Sequence, residues 1–195
     1  MMLVFIGPPG AGKGTQAKRL IGHLGLAHLS TGELLREAKA AGTPLGKLAA
    51  QYMEKGRLVP DDLVLDLVAQ KLQDPRYRNG CMFDGFPRTL NQARALDETL
   101  ARRGRPLDVA LELRADENEL TQRMLRRAAA EGRADDTPQT IAHRFEVYHQ
   151  QTEPLLDYYR FTGILKVIDA LGTPDEVFER IKKVVDKKAS TPSVS

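Results

Sequence analysis

The residues from Gly7 to Thr15, GPPGAGKGT, combine several glycines with one lysine in a pattern suited to phosphate binding. Gly7, Gly12 and Lys13 fit the spacing Gly-x-x-x-x-Gly-Lys, directly after the apolar run MLVFI and before an amphipathic helical pattern. Glycines let the backbone N–H groups turn inward toward phosphate oxygens, and the positive end of the next helix adds to the attraction. An ordinary glycine-rich turn would leave the lysine unexplained. We predict a phosphate-binding loop.

Two residues near this loop could hold Mg²⁺. Gly14 stands where the general pattern has a serine or threonine that contacts the metal, and Thr15 is the nearest hydroxyl. Asp84 ends the apolar run MFD, and an acid at a strand end beside a phosphate loop can hold Mg²⁺ through water.

The stretch MFDGFPRTLNQA places further ligand-binding types after the same apolar run. Gly85 allows a ligand to approach the backbone closely, and Arg88 can hold a phosphate with two parallel hydrogen bonds. Gln92 has two interpretations. Thr89-x-x-Gln92 is a helix-capping pattern, yet an amide can also pair with the donor and acceptor edge of adenine.

A cluster of arginines lies in the segment from residue 120 to residue 145. Arg123 and Arg127 are four residues apart and therefore share a helix face, and Arg133 and Arg144 follow them. A run of charges is usually a solvated surface. The absence of lysine from this segment favours phosphate binding instead, because arginine holds phosphate with a planar fork of donors.

These residues must be positioned by a fold in which short apolar runs alternate with helix-length segments. The strand candidates are MLVFI, LAHLS, GCMFDGF, DVALEL and ILKVID, and the alternation predicts an α/β fold with a parallel sheet between two helical layers. Thr137-Pro138 and Thr173-Pro174 predict helix starts. About fifty residues between the second and third strands show only helical patterns, which predicts a helical insertion near residues 30–60.

The composition is that of one globular domain. The 195 residues are 42% hydrophobic and 28% charged, with a formal net charge of +3, and no apolar run approaches the ~20 residues that span a bilayer. The single cysteine, Cys81, excludes an internal disulfide and a multi-cysteine metal site. We therefore expect a cytoplasmic protein without membrane contact, and a monomer because the sequence has no interface signature.

The motifs together resemble the adenylate kinases, a family of P-loop kinases that act on nucleoside monophosphates. The resemblance rests on GPPGAGKGTQ, LSTGELLR, GRLVP, MFDGFPRTLNQA and the arginine cluster, and it covers residues 1–186. Gly14 fits this family, in which glycine and threonine follow the lysine. The segment 126–136 is short and has no cysteine, so the chain resembles the short-lid members without a structural zinc.

The resemblance implies a reaction: reversible transfer of the terminal phosphoryl group of ATP to AMP, giving two ADP, with Mg²⁺ bound to ATP. A UMP/CMP kinase of the same fold is the closest alternative. Those relatives usually have a small residue at the position of Thr31 and asparagine near that of Gln92, so both residues favour AMP. A nucleic-acid-binding protein, suggested by the pI of about 9.0, is disfavoured because the sequence has no tryptophan and its aromatics are dispersed.

The resemblance also implies a role for individual residues. Those implied for phosphoryl transfer are Lys13, Arg88, Arg123, Arg127, Arg133 and Arg144. Those implied for ATP binding are Gly10, Ala11, Gly12, Lys13, Gly14, Thr15, Arg127 and Gly172. Those implied for AMP binding are Thr31, Arg36, Arg57, Leu58, Val59, Gly85, Phe86, Pro87, Arg88, Gln92, Arg133 and Arg144. Asp135 and Asp136 would help to close the lid, and Asp84 with Thr15 would hold Mg²⁺.

The fold implied by the resemblance is a P-loop NTPase-type parallel sheet of five strands in the order 2-3-1-4-5, with helices on both faces. The core would comprise residues 1–29, 60–125 and 137–186. Residues 30–59 would form the insertion that binds the monophosphate, residues 126–136 the lid, and residues 187–195 a disordered tail.

Overall fold

The computed structural model describes residues 1–131 and 137–189. A five-stranded sheet lies at the centre, every neighbouring pair of strands runs parallel, and the order is β2-β3-β1-β4-β5. The strands are β1 (Met2–Ile6), β2 (Ala27–Ser30), β3 (Cys81–Asp84), β4 (Val109–Arg114) and β5 (Leu165–Asp169). The predicted fold class, strand candidates and strand order are confirmed.

Strand β1 lies in the middle of the sheet and is buried on both faces. Met2, Val4 and Ile6 belong to one hydrophobic cluster, whereas Leu3 and Phe5 belong to the other. Successive side chains of a strand point to opposite faces, so an uninterrupted apolar run suits a strand between two helical layers. The run MLVFI therefore ends in the interior, and the loop that follows it starts at the carboxyl edge of the sheet.

The helices cover the two faces of the sheet. The cluster that contains Leu3 and Phe5 also includes residues of α1 (Lys13–Leu24), α6 (Glu117–Glu131), α7 (Pro138–Val147) and α9 (Pro174–Ala189). The opposite cluster includes residues of α4 (Asp61–Lys71), α5 (Leu90–Arg102) and α8 (Pro154–Phe161). A short 3₁₀ helix, Pro75–Tyr77, precedes β3.

Two helices, α2 (Thr31–Ala40) and α3 (Pro44–Met53), fall within the predicted insertion at residues 30–59. They pack closely at Gly46, where a Cβ atom would lie 2.1 Å from the carbonyl carbon of Ala38. Such a distance is far inside van der Waals contact, so the packing of α2 against α3 requires glycine at this position.

The helix starts follow the predicted capping patterns. Thr137 Oγ1 accepts a hydrogen bond from Thr140 N at 3.2 Å, and α7 begins at Pro138. Thr173 Oγ1 accepts from Glu176 N at 3.3 Å while Glu176 Oε2 accepts from Thr173 N at 2.7 Å, so α9 begins with a complete capping box. Between α7 and α8 the chain makes one π-helical turn, Tyr148–Thr152.

The segments predicted as the lid (126–136) and the tail (187–195) both begin inside helices. Helix α6 continues to residue 131, so the first part of the predicted lid at 126–136 is the end of this helix, and residues 132–136 lie outside the described part. The predicted start of a disordered tail at residue 187 is wrong. Lys187 and Lys188 belong to the last turn of α9, where positive charges suit the helix dipole, and residues 190–195 lie outside the described part.

Candidate active site

A cleft of about 880 Å³ opens at the carboxyl edge of the sheet, between the loop after β1, the insertion and helices α6 and α7. The residues implied for the two nucleotides that line this one cleft are Gly10, Ala11, Gly12, Lys13, Gly14, Thr15, Thr31, Arg36, Arg57, Leu58, Val59, Gly85, Pro87, Arg88, Gln92, Arg123, Arg127, Arg144 and Gly172. Strand ends and helix starts meet at this edge of an open α/β sheet, which is where such folds bind ligands.

The glycine loop begins where β1 ends and runs into α1. Gly10 has a φ of 81° and Gly12, the cap of α1, a φ of 86°, both in the left-handed region. A Cβ atom on Gly10 would also lie 2.7 Å from the carbonyl oxygen of Leu120. Conformation and space therefore both require glycine at position 10, and the loop is shaped by its backbone.

Lys13 is the first residue of α1, and its ammonium group lies over the loop. Nζ donates to the carbonyl oxygens of Gly7 at 2.6 Å and Pro8 at 2.8 Å. Burial, together with the charges of Arg88, Arg144 and Arg127, lowers the pKa of Lys13 to about 7 against the opposing effect of Asp84. Several cations therefore converge on this part of the cleft, as a site for a polyanion requires.

Arg88 lies on the other side of the cleft, in the turn between β3 and α5. Its Nε donates to the carbonyl oxygen of Gly85 at 2.8 Å. Burial and the charge of Arg144 lower the pKa of Arg88 to about 10, with Arg36 acting in the same direction and Asp84 against it. The guanidinium is thus held among other cations, where an anionic ligand would relieve the repulsion.

The arginine cluster divides between the cleft and the surface. Arg123 and Arg127 line the cleft, and Arg123 Nη1 donates to the carbonyl oxygen of Ala170 at 3.1 Å. Arg126 is exposed and forms an ion pair with Glu119. The solvated-surface interpretation therefore holds for Arg126 but not for Arg123 and Arg127, which line the cleft.

Three of the implied residues, Arg133, Asp135 and Asp136, lie outside the described residues. A fourth, Phe86, is described but does not line the cleft. Its side chain is fully buried and packs against Phe83, with the ring centroids 6.4 Å apart. Its side chain therefore offers no surface to the cleft.

Asp84 ends β3 and faces the glycine loop, because a Cβ atom on Gly14 would lie 3.6 Å from its Oδ2. Burial alone would raise the pKa of Asp84, but the contact with His28 and the charges of Lys13 and Arg88 outweigh it and hold the pKa below its usual range. An ionised carboxylate beside a phosphate loop fits Mg²⁺, which binds few protein ligands and keeps water and phosphate oxygens for the rest. Thr15, on the same rim, is exposed.

Gln92 satisfies the capping pattern with its backbone and leaves its side chain for other contacts. Gln92 N donates to Thr89 Oγ1 at 3.2 Å, as the capping interpretation predicts. The side-chain amide accepts from Arg88 N at 2.8 Å and donates to Asp61 at 2.7 Å. Thr31, the first residue of α2, donates to the carbonyl oxygen of Gly85 at 2.9 Å.

Three contributors to the site were not found from the sequence. Asp61 holds Gln92, Thr152 Oγ1 donates to the carbonyl oxygen of Arg88 at 2.9 Å, and Gln16 Nε2 donates to the carbonyl oxygen of Pro174 at 3.0 Å. Each contact joins residues far apart in the chain. Asp61 could be recognised only as an acid in the first turn of a helix, and Thr152 gave no local signal.

Two features are absent from the described residues, a metal-binding cluster and a membrane-spanning helix. Within residues 1–131 and 137–189, no three His, Cys, Asp or Glu side chains are grouped so as to hold a metal ion. Over the same ranges, every helix is too short or too polar to cross a membrane.

Comparison with known proteins gives one consistent family. The model of the family described as adenylate kinase matches residues 5–164. An adenylate kinase of Thermus thermophilus is 52% identical over 180 residues, which is 92% of this chain and 94% of the relative. Adenylate kinases of Mycolicibacterium paratuberculosis (51% over 180 residues, 92% of this chain and 96% of the relative) and Maricaulis maris (46% over 188 residues, 96% and 100%) are similar as well. The chain therefore belongs to the adenylate kinase family.

Proposed function

We propose that the cleft catalyses the reversible transfer of the terminal phosphoryl group of ATP to AMP, giving two ADP. The observation that supports this best is that one cavity gathers cationic residues from two separate parts of the fold. Lys13 comes from the start of α1 with the glycine loop, whereas Arg36 comes from α2 and Arg88 from the turn after β3. Two regions for anions suit an enzyme with two phosphorylated substrates, whereas an ATPase or a nucleotide switch needs one.

The reaction needs no general base in this proposal, because the attacking group of AMP is already a phosphate oxyanion. The protein has to bring two polyanions together and stabilise charge on the phosphoryl group during transfer. The glycine loop, Lys13 and Arg127 would hold the phosphates of ATP, and Gly172 would offer backbone to its base. Arg123 and Arg144 would lie near the phosphoryl group in transfer.

The AMP side of the proposal begins with Arg88 and Arg36, which would hold the phosphate of AMP. Thr31 and Gln92 would contact its base, and the backbone from residue 57 to residue 59 would line the pocket. Among the residues outside the described part, Arg133 would join the phosphate contacts, and Asp135 and Asp136 would help to close the lid.

Mg²⁺ is the proposed cofactor. Asp84, through water, and Thr15 would hold it, and when bound it supplies positive charge to the phosphates of ATP. The chain's own part is to keep the Asp84 carboxylate ionised, which the low pKa of Asp84 favours.

Water competes with AMP as an acceptor, so the cleft has to close before transfer. We propose residues 30–59 and 126–136 as the two moving parts. Adenylate kinases are themselves a known example of lid closure, so this point is taken from the family. A monomer in the cytoplasm completes the proposal. The single cysteine, Cys81, is free and buried, which fits a reducing compartment.

A coupled assay of ADP formation tests the proposal. With ATP and Mg²⁺, ADP should form only when AMP is added, and much faster with AMP than with UMP, CMP or GMP. ATP hydrolysis in the absence of AMP would contradict the proposed reaction. A preference for UMP or CMP would favour the alternative kinase of the same fold, which nothing in the named relatives supports.

A further inference from the structure

Asp61 is the first residue of α4, at the point where the chain returns from the insertion to the core. Its carboxylate accepts three hydrogen bonds from the start of α5. The donors are Thr89 Oγ1 at 2.8 Å, Asn91 Nδ2 at 3.1 Å and Gln92 Nε2 at 2.7 Å. Three donors from one short segment make this acid more than a surface charge at a helix start.

The amide of Gln92 is held from two sides. Nε2 donates to Asp61 Oδ1, and Oε1 accepts from Arg88 N at 2.8 Å. An amide oxygen can accept two hydrogen bonds and an amide NH₂ can donate two, so one acceptor position and one donor remain. Gln92 is 2% exposed and lines the cleft, and under the proposed function this remaining pair is the one that meets the base of AMP.

The two contacts together fix which way the amide points. A carboxylate can only accept a hydrogen bond and a backbone N–H can only donate one. Turning the Gln92 amide by half a rotation would set Oε1 against the oxygens of Asp61 and Nε2 against the N–H of Arg88. Both contacts would become repulsive, so the orientation is determined by chemistry and not only by packing.

The fixed orientation has a consequence for the base that the site accepts. A 6-aminopurine such as adenine presents an amino donor beside a ring-nitrogen acceptor, whereas a 6-oxopurine presents an oxygen acceptor beside a ring N–H donor. The first edge pairs with the amide as it is held, and the second would need the reversed amide. We infer that Asp61 is a positioning residue that sets base selectivity, because it holds Gln92 in the orientation that reads a 6-aminopurine.

The second contact of the Gln92 amide, from Arg88 N to Oε1, depends on the position of the Arg88 backbone. Thr152 Oγ1 donates to the carbonyl oxygen of Arg88 at 2.9 Å, and Arg88 Nε donates to the carbonyl oxygen of Gly85 at 2.8 Å. These two hydrogen bonds hold the Arg88 turn in place, and with it the N–H group that Gln92 accepts from. Asp61 is the half of the arrangement that a single side-chain substitution can release.

The test is the substitution Asp61→Asn. Asparagine has the same shape, but it offers both an oxygen and an NH₂ group and can turn to satisfy either orientation of Gln92. The measurement is kcat/KM with ATP for AMP and for inosine monophosphate, whose base differs from adenine at this edge and carries no 2-amino group. The ratio of the two values should fall about 5-fold, since Asp61→Asn removes one of the two contacts that orient the amide and leaves the Arg88 N–H contact in place, and one net hydrogen bond corresponds to a factor of that order.

Asp62→Asn is the matched control, because Asp62 is the exposed neighbour with the same charge in the same first turn of α4. It should leave the ratio unchanged. Asp61→Ala serves as a second variant if Asp61→Asn does not fold, and thermal unfolding checks both. An unchanged ratio would overturn the inference. If kcat/KM falls equally for the two nucleotides, Asp61 is only structural, and if it falls for neither, Asp61 has no role in the reaction.

The inference rests on the proposed function, in which Gln92 faces the base of AMP. The unmodified protein is therefore assayed first. Absence of ADP formation with AMP would overturn the proposed function and the inference with it. Normal use of AMP together with an unchanged ratio in the Asp61 variants would overturn the inference alone.

Discussion

The two sides of the cleft are built by different means. On the β1–α1 side, the wall consists of consecutive residues, and its shape comes from glycine backbone such as that of Gly10. On the β3–α5 side, the wall consists of side chains that residues far along the chain hold in place, as Asp61 holds Gln92 and Thr152 holds the turn at Arg88. The first side is determined locally, and the second depends on the whole fold.

The difference indicates how each side of the cleft should respond to substitutions. Gly10 has neither the conformation nor the space for a side chain, so the backbone wall tolerates little change. The side-chain wall is held by several separate hydrogen bonds, each worth about 1 kcal/mol net. Its function should therefore change in graded steps, and mainly for one of the two substrates.

The largest expected effect tests the β1–α1 side. Lys13→Met should retain the fold and lower kcat by about 10² to 10⁴, as loss of one positioned charge typically does. Steady-state kinetics with ATP and AMP, together with a thermal unfolding curve, measure both parts. Lys183→Met is the matched control, since Lys183 is exposed on α9. Near-normal turnover of the Lys13 variant would remove this lysine from the mechanism.

A smaller and more selective effect is expected on the β3–α5 side. Arg88→Ala should lower kcat/KM for AMP by about 10- to 100-fold, because a hydrogen bond to a charged group contributes about 1.5–3 kcal/mol. ATP binding, measured by calorimetry, should change much less. Arg94→Ala, an exposed position on α5, should change neither. If only the affinity for ATP fell, the assignment of the two sides would be reversed.

The smallest expected effect is the uptake of a proton by Lys13 when ATP binds. Lys13 has a pKa of about 7 against an ordinary value of 10.5, so at pH 8 it is mostly neutral in the empty cleft. Polyphosphate favours the charged form, so ATP binding at pH 8 should take up close to one proton. Arg88, with a pKa of about 10, is already charged at that pH, so AMP binding should take up none at this residue.

Calorimetry in two buffers with different ionisation enthalpies measures this uptake, and Lys13→Met should abolish it. Equal uptake for ATP and AMP would break the contrast between the two sides.

The lowered pKa of Lys13 also makes the stability of the empty protein depend on pH. The pKa of Lys13 is lower in the folded state, so the folded state binds fewer protons than the unfolded state between pH 7 and 10.5. The contribution of Lys13 to stability therefore rises with pH across that window.

The same contrast explains how much could be predicted from the sequence. The strands and the glycine loop were predictable because each is a continuous run whose pattern reports its own environment. Arg88 and Gln92 were found for a similar reason, since they follow one strand in one motif. Asp61 and Thr152 were not found, because their roles exist only after α4 and the π-helical turn have packed beside the start of α5.

The boundaries of two predicted segments show a second reason why parts of the fold could not be predicted from the sequence. Helix α6 runs into the segment predicted as a lid, and α9 runs past the predicted start of the tail. Alanine and lysine near these ends are good helix formers, so a helix can continue there after its apolar pattern has stopped. The apolar periodicity on which the sequence interpretation relied reports burial, and an exposed last turn has none.

The π-helical turn Tyr148–Thr152 has a consequence for how this segment can change in length. A π turn holds one more residue than an α turn, and each residue of an α-helix advances the phase by about 100°. Five residues of a π turn sweep about the same angle as four residues of an α turn, so removing one residue of this stretch would restore an α turn and leave the buried Leu155 and Tyr159 of α8 near their present phase. Adding one residue would instead turn α8 by about 100° against the core. The stretch YHQQT should therefore accept the loss of one residue more readily than the gain of one.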